Sequence, residues 1–308
     1  MDILKALEAI RNPILDTLFT WIAVAVNEYL FIVVAVVLFW CVSKQKGYYV
    51  MTLCFFALIS NSALKIIFRI PRPWMRDPSL TTVESARDTA TGYSFPSGHT
   101  QNINALMGGL SRSFDNRPLR VCSVVIVLLT AFSRLYLGVH SLWDVLAGMA
   151  LSLVMVFAFY PAFRRAEDYP RSISWILAAG IALAAAFVAY VSFASFPAEV
   201  DEANLAEAVK SAWMCLGIGA GLLVSYLTDK YYTQFNTDSV WWIQIIKCAL
   251  GIGLMLAVKA VLKAPLNTLF AGHPAADAVR YFAVMIVAGT LWPMTFRWWN
   301  SLALRTNR

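Results

Sequence analysis

The amino-acid sequence predicts an all-α, polytopic integral-membrane helical bundle, and three observations carry that reading. Hydrophobic residues make up 59% of the 308 and charged residues only 14%, where a soluble domain carries roughly 25% charge. Apolar runs recur along the whole chain, so spans of ~20 residues, not globular domains, are the units to count. The 25 Lys and Arg fall mostly in short segments between those runs. With no basic tail or aromatic-spaced stripe, the net charge of +7 reads as topology plus one anionic site, and no nucleic-acid partner is expected.

The elements follow in order. The first ten residues lack the basic n-region of a signal peptide, so no cleavage is expected. Ile3, Leu4, Leu7 and Ile10 share one helical face opposite Asp2, Lys5 and Glu8, and residues 1–28 are expected to be an N-terminal interfacial helical segment. About nine candidate spans come next: 29–42, 48–68, 97–114, 120–137, 141–163, 173–196, 212–227, 240–262 and 278–298. Between the second and third lies the longest irregular segment, 69–95, with Pro71, Pro73, Pro78 and Gly92. Loops of that length are usually functional or disordered. The span at 97–114 is weakened by His99, Gln101, Asn102 and Asn104, yet Ala105, Gly108 and Gly109 allow close packing, and the polar groups can face the bundle interior. Cys41, Cys54, Cys122, Cys215 and Cys248 lie inside apolar runs with no CxxC pair, which suits small core residues.

Basic residues set the orientation. Lys44, Lys46, Arg117, Arg164, Arg165, Arg171, Lys230, Arg297, Arg305 and Arg308 fall on one side, which is cytoplasmic by the positive-inside rule. Glu199, Asp201, Glu202 and Glu207 fall on the other. Lys65, Arg69, Arg72, Arg76, Arg87 and Arg134 also gather on that outer side, against the trend, and need a separate reason.

Three segments supply it. In Lys65–Pro73 (KIIFRIPRP) the spacing puts Lys65, Arg69 and Arg72 on one helix face at the outer end of a span, with Pro71 and Pro73 ending the helix. Taken alone, these are also what snorkelling cations at a boundary look like. Pro96-Ser97-Gly98-His99 opens the next span. Proline suits a first turn, free N–H groups at a helix start bind anions, glycine permits close approach, and His99 supplies a proton near neutral pH; an ordinary capped helix start has the same composition. In Ser133-Arg134…His140…Asp144 the i, i+4 pair lets the carboxylate orient the imidazole and leave its other nitrogen as a nucleophile, or makes a structural ion pair. The end of the second span, the start of the third, the end of the fourth and the start of the fifth share one side of the membrane, so the three segments can converge.

Read together, KxxxxxxRP, PSGH and SRxxxxxHxxxD closely resemble the signature of the type 2 phosphatidic acid phosphatase (PAP2) superfamily, with every fixed position filled. The resemblance covers Lys65–Asp144 directly. It implies a six-helix PAP2-like catalytic core over 29–196, and about three additional C-terminal transmembrane helices over 197–308. The nine-span layout is similar to the glucose-6-phosphatase branch in layout alone. Metal-independent phosphate-ester hydrolysis through a phosphohistidine is implied, with His140 the nucleophile, Asp144 its orienting carboxylate and His99 the proton donor to the leaving oxygen. Lys65, Arg72, Ser97, the Gly98 N–H and Arg134 would hold the phosphoryl oxygens. The physics agrees, since transfer of an anionic group needs mainly positioning and fixed positive charge, so no metal and no cofactor are expected.

The expected partners are a phosphorylated lipid substrate and membrane lipids, and a homo-oligomer is compatible with the sequence. Undecaprenyl diphosphate, phosphatidylglycerol phosphate, phosphatidic acid and sphingoid phosphates are all candidate substrates. A lipid phosphotransferase, a sugar-phosphate phosphatase and a non-catalytic lipid transporter are the alternatives, although binding alone would not need His140, Asp144 and His99. The expected location is a bacterial inner membrane with a periplasmic site. Arg69, Arg76 and Arg87 lie outside the motif and suit either anionic headgroups or an extension of the pocket toward a second phosphate; His273 has no motif around it.

Overall fold

The computed structural model describes residues 2–87, 90–164, 170–197 and 200–306, and the side chains of all of these except 28, 29 and 302–306. Arg165, Glu199, Arg308 and the Arg305 side chain, used in the orientation argument, lie outside that set. The protein is an all-α polytopic membrane bundle, and no strand occurs among the described residues. Seven helices are long and apolar enough to cross a membrane, or eight if the bent pair Pro13–Ala25 and Leu30–Val42 is one span. The expected span at 97–114 is a 16-residue helix, Gly98–Ser113. At 1.5 Å per residue it is about 24 Å long, short of a ~30 Å hydrocarbon core.

The chain forms two compact units. The first comprises Met1–Phe31, Phe56–Tyr160 and Ser195–Ala208; the second comprises Ile32–Phe55, Pro161–Ala194 and Val209–Arg308.

In the first unit, α1 (Asp2–Ala9) and α2 (Pro13–Ala25) precede the spans; α2 was not expected as a separate helix. Its start is written in the sequence, because the Asn12 side chain accepts from the Leu15 N–H and Pro13 occupies the first turn. The expected apolar face of α1 is divided. Leu4 is buried against Leu80, Ala131, Leu135 and Val145 with Leu7 beside it, whereas Ile3 and Ile10 remain exposed. Most of α3 (Glu28–Val37) and the first half of the long span α4 (Lys44–Phe68) belong to the second unit; from Phe56 on, α4 is part of the first, followed by the short helices α5 (Pro73–Arg76) and α6 (Glu84–Arg87). Then α7 (Gly98–Ser113), α8 (Arg117–Tyr136) and α9 (Leu142–Phe163) complete the core of this unit.

Helices in lipid gain little from hiding apolar surface from one another, so small side chains and polar links must hold them together. On α7, Asn104 Nδ2 donates to Ser152 Oγ at 2.8 Å and to the Met149 carbonyl at 3.0 Å, both on α9. One turn on, Gly108 admits Val156, whose Cγ2 would lie 3.0 Å from an added Cβ. The outward stripe of α8, with Val121, Val124, Val125, Leu128, Leu129 and Phe132 exposed, suits acyl chains.

The second unit contains α10 (Arg171–Phe193), α11 (Glu202–Thr228) beyond Ala208, α12 (Trp241–Val261), α13 (Lys263–Leu269), α14 (Ala275–Ile286), α15 (Trp292–Met294) and α16 (Phe296–Thr306). Its centre is Trp40, fully buried, whose Nε1 donates to the Ala288 carbonyl at 2.9 Å. A side chain at Gly217 would collide with the Ala278 backbone, so α11 and α14 cross at close range. Lys44 and the buried Asp229 lie 3.3 Å apart, which joins two ends the charge pattern assigns to the same side.

Of the cysteines expected in the core only Cys215 is buried; Cys122 is exposed, and Cys41, Cys54 and Cys248 are half-buried. The apolar run around Cys122 faces outward, where lipid rather than protein makes a thiol at home. Lys247 is wholly buried with Nζ 4.2 Å from the Phe296 ring centre, a cation–π arrangement. His273 Nδ1 accepts from the Ala275 N–H at 3.1 Å at the start of α14, a local capping role.

Candidate active site

The three motif segments meet at one end of α4, α7, α8 and α9, all within the first unit. The first segment reaches the site by a different route from the expected one. Helix α4 stops at Phe68, before either proline, and Arg69 has φ +51°. Arg72 therefore does not share a helix face with Lys65; it caps α5 in extended geometry, φ −64° and ψ 153°. The cause is Pro71, which pushes Ile70 out of the helical region and so moves the break upstream. The reversal brings Arg72 inward, where it is 3% exposed.

Arg72 is held at every guanidinium nitrogen. Nε donates to the Gly92 carbonyl at 3.0 Å, Nη2 to the Thr91 carbonyl, and Nη1 to the Val139 carbonyl and to His140 Nε2, both at 3.0 Å. Guanidinium can only donate, so Nε2 of His140 must be the lone-pair nitrogen and Nδ1 carries the proton. Burial, and after it the charge of Arg72, holds the His140 imidazolium well below its ordinary pKa. The ring is thus uncharged at neutral pH, as a nucleophile requires.

On the other side of that ring the geometry again departs from the sequence expectation. Nδ1 lies 3.8 Å from Asp144 Oδ2, too far for a hydrogen bond. The Ser94 hydroxyl stands between them, 3.5 Å from Nδ1 and donating to Asp144 Oδ2 at 2.7 Å. His140 also precedes helix α9, which starts at Leu142. Asp144 is fixed instead by a reciprocal cap. The Ser141 N–H donates to Oδ2 at 2.7 Å, and the Asp144 N–H donates to Ser141 Oγ at 3.3 Å.

The PSGH segment is tied to the same helix start, since the Ser97 N–H donates to the Asp144 carbonyl at 2.9 Å. The Ser97 hydroxyl pairs with Thr100 Oγ1 at 3.0 Å. Gly98 turns out to serve helix approach: a Cβ there would stand 3.0 Å from Asn61 Oδ1 on α4. Asn61 in turn donates to the Pro96 carbonyl at 3.1 Å and to Gln101 at 2.9 Å, and so fixes where α7 begins. His99 occupies the first turn of α7, within electrostatic reach of Arg134, His140, Lys65 and Arg72.

Arg134 is the most telling member. It is 0% exposed near the end of α8, and none of its three guanidinium nitrogens finds a hydrogen-bond partner among the described residues. An unpaired buried cation is costly, and an anion held in the same place would satisfy all three donors. Its charge is felt at Lys65, His99 and His140, so that anion would sit among those three side chains. Beside Arg72 a cleft of about 460 Å³ opens between Phe68, Arg69, Met75, Tyr93, Asp201 and Asn204, wide enough for the remainder of a substrate.

The comparisons with known proteins cover the region that carries the three motif segments. Residues 45–168 match the PAP2 superfamily, and residues 213–304 match the PAP2 superfamily phosphatase transmembrane extension. The chain belongs to the PAP2 superfamily. It is 29% identical over 163 residues to an undecaprenyl-diphosphatase of Bacillus subtilis, covering 52% of this chain and 81% of the relative. It is 27% identical over 187 residues to a lipid A 4′-phosphatase of Porphyromonas gingivalis, covering 54% of this chain and 74% of the relative. Against a lipid phosphate phosphatase of Arabidopsis thaliana, identity is 23% over 180 residues, 55% of this chain and 43% of the relative. No solved structure gives a significant match. A PAP2 enzyme of this kind is a phosphoric monoester or diphosphate hydrolase.

Several residues that shape this PAP2 site were not singled out from the sequence. Asn61 lies one turn before Lys65, and Gly148 one turn after Asp144, so helical spacing from the motif positions would have found both. Ser94 and Thr91 lie in the irregular segment and carry no such signal. Gly148 is where α9 meets the start of α7, since a Cβ there would fall 2.8 Å from the Ser97 carbonyl and 3.3 Å from Gln101 Cβ. Gly148→Ala is expected to leave a folded protein whose phosphatase activity drops by about 10²-fold, the cost of a ~1 Å misplacement. Elution in detergent and kcat measured on one preparation check this, and wild-type kcat would refute it.

Proposed function

We propose that this PAP2 enzyme is an integral-membrane lipid phosphatase working without metal through a phosphohistidine on His140. The observation that carries the reading is the buried Arg134 guanidinium with no partner among the described residues, set beside an imidazole whose lone pair is held by Arg72. In this reading a phosphoryl oxygen takes the Arg72 N–H from His140 Nε2, which frees the lone pair to attack phosphorus in line with the leaving oxygen. Asp144, through Ser94, balances the positive charge that develops on the ring. His99 gives its proton to the leaving oxygen as the P–O bond breaks, then takes one from the water that cleaves the N–P bond and releases inorganic phosphate. Lys65, Arg72 and Arg134, with Ser97 and the Gly98 N–H, hold the three phosphoryl oxygens; three cations supply the charge a metal would otherwise bring.

Lipid substrates are supported by the relatives, whose names are those of lipid phosphatases. The substrate is a lipid phosphate or diphosphate of the undecaprenyl diphosphate, phosphatidic acid or phosphatidylglycerol phosphate type. The site faces the side of the membrane opposite the cation-rich loops, which in a bacterium is the periplasmic face of the inner membrane. Residues 29–196 form the catalytic core and 197–308 the extension.

The test is phosphate release in detergent micelles with EDTA, across diphosphate lipids, phosphatidic acid, phosphatidylglycerol phosphate and soluble sugar phosphates. Unimpaired turnover in EDTA with a clear preference for one lipid is expected. Loss of activity in EDTA, restored by a divalent cation, would overturn the metal-free mechanism, and preference for a soluble sugar phosphate would overturn the lipid assignment.

A further inference from the structure

Thr91 and Gly92 lie in the irregular segment that precedes PSGH, and their backbone carbonyls hold both cations of the first motif. The Thr91 carbonyl accepts from Lys65 Nζ at 3.1 Å and from Arg72 Nη2, while the Gly92 carbonyl accepts from Arg72 Nε at 3.0 Å. A segment without regular structure cannot by itself fix two carbonyls, so something must hold it from outside. The Thr91 hydroxyl donates to Glu207 Oε1 at 2.8 Å. Glu207 stands in the second turn of α11, within the stretch Ser195–Ala208 that belongs to the catalytic unit. Its charge also acts directly on Lys65 and Arg72. A Cβ added to Gly92, which has φ +68°, would lie 3.5 Å from both Glu207 Oε2 and Lys65 Nζ, so the carboxylate and the ammonium close over this glycine.

We infer that Glu207, through its bond to Thr91, is a positioning residue for the phosphatase reaction, holding the carbonyls that aim Lys65 and Arg72 at the phosphoryl group. This rests on the site reading given above. It places a catalytic requirement beyond the motif-bearing region, at the start of the helix that leads into the extension. Glu207 touches no reacting atom; it acts through Thr91.

The test uses the full-length protein, with wild type and His140→Ala in parallel, and reads kcat, KM and inhibition by inorganic vanadate as a mimic of the transferred group. Thr91→Val and Glu207→Ala are each expected to lower kcat by about tenfold, as loss of a charge-assisted hydrogen bond does, with KM within about twofold. Vanadate inhibition weakens in parallel. The double variant is no worse than either single one, because both remove the same link. Thr91→Ser and Glu207→Gln, which keep the donor and an acceptor, recover most of the loss. Wild-type kcat in either disrupting variant, losses that multiply in the double variant, or a rise in KM alone would overturn the inference. A wild type that releases no phosphate, or a His140→Ala protein as active as wild type, would overturn the site reading itself.

Discussion

His140→Ala is expected to lower phosphate release by about 10⁴-fold or more, since losing a covalent nucleophile can cost on the order of 10⁶ in kcat. The size of the effect follows from where the ring sits. His140 is 2% exposed and presents its lone pair toward Arg72, with the Ser94–Asp144 pair behind it. The variant should still fold, because Arg72 keeps its bonds to the carbonyls of Thr91, Gly92 and Val139. Asp144 likewise keeps those from Ser94 and Ser141. Rapid quench with a labelled lipid phosphate should trap an acid-labile phosphoramidate on wild type and none on the variant. Activity above about a hundredth of wild type would point to direct attack by water.

Arg134→Met should separate activity from stability. Catalysis is expected to fall by about 10²- to 10³-fold, the scale seen when one preorganised stabiliser of the transferring group is removed. Thermal stability is expected to rise, because Met fills a similar volume without burying an uncompensated charge; replacing buried ionic groups by packed apolar ones gains up to roughly 1–4 kcal/mol. The argument depends on the three guanidinium nitrogens having no partner among the described residues. Vanadate should raise the melting temperature of wild type by more than that of the variant, which keeps Lys65 and Arg72 but lacks the third cation and so binds the anion more weakly. A variant less stable than wild type would mean that Arg134 braces the fold.

The motif positions were legible because their chemistry forces rare residue types into an apolar chain. Six cations gathered against the topological trend, His99 beside Ser97 and Gly98, and His140 four residues before Asp144 all stand out there. Helix α7 could also be read despite its weak hydropathy, since Asn104 and Gly108 have the spacing of an inward face and do meet Ser152 and Val156. Errors arose where the path of the backbone decides. Lys65, Arg69 and Arg72 fit one helix face on paper, yet the chain reverses at Arg69 and Arg72 arrives from outside the helix. Likewise, the direct contact expected between Asp144 and His140 is taken by Ser94, from a segment whose sequence shows no periodicity.

By itself, then, the sequence determined the solvent, the helical class, the family and the candidate site residues that the fold brings together, His140 among them. Each of these depends on composition and on local spacing, which is the same in any conformation. Tertiary structure alone decided which nitrogen of His140 carries the lone pair, how closely Gly98 and Gly148 approach Asn61 and Ser97, that Arg134 has no partner among the described residues, and that Glu207 reaches Thr91 across 116 positions of the chain. Those depend on distances between segments far apart in sequence, set by how the helices pack, and no local pattern encodes them.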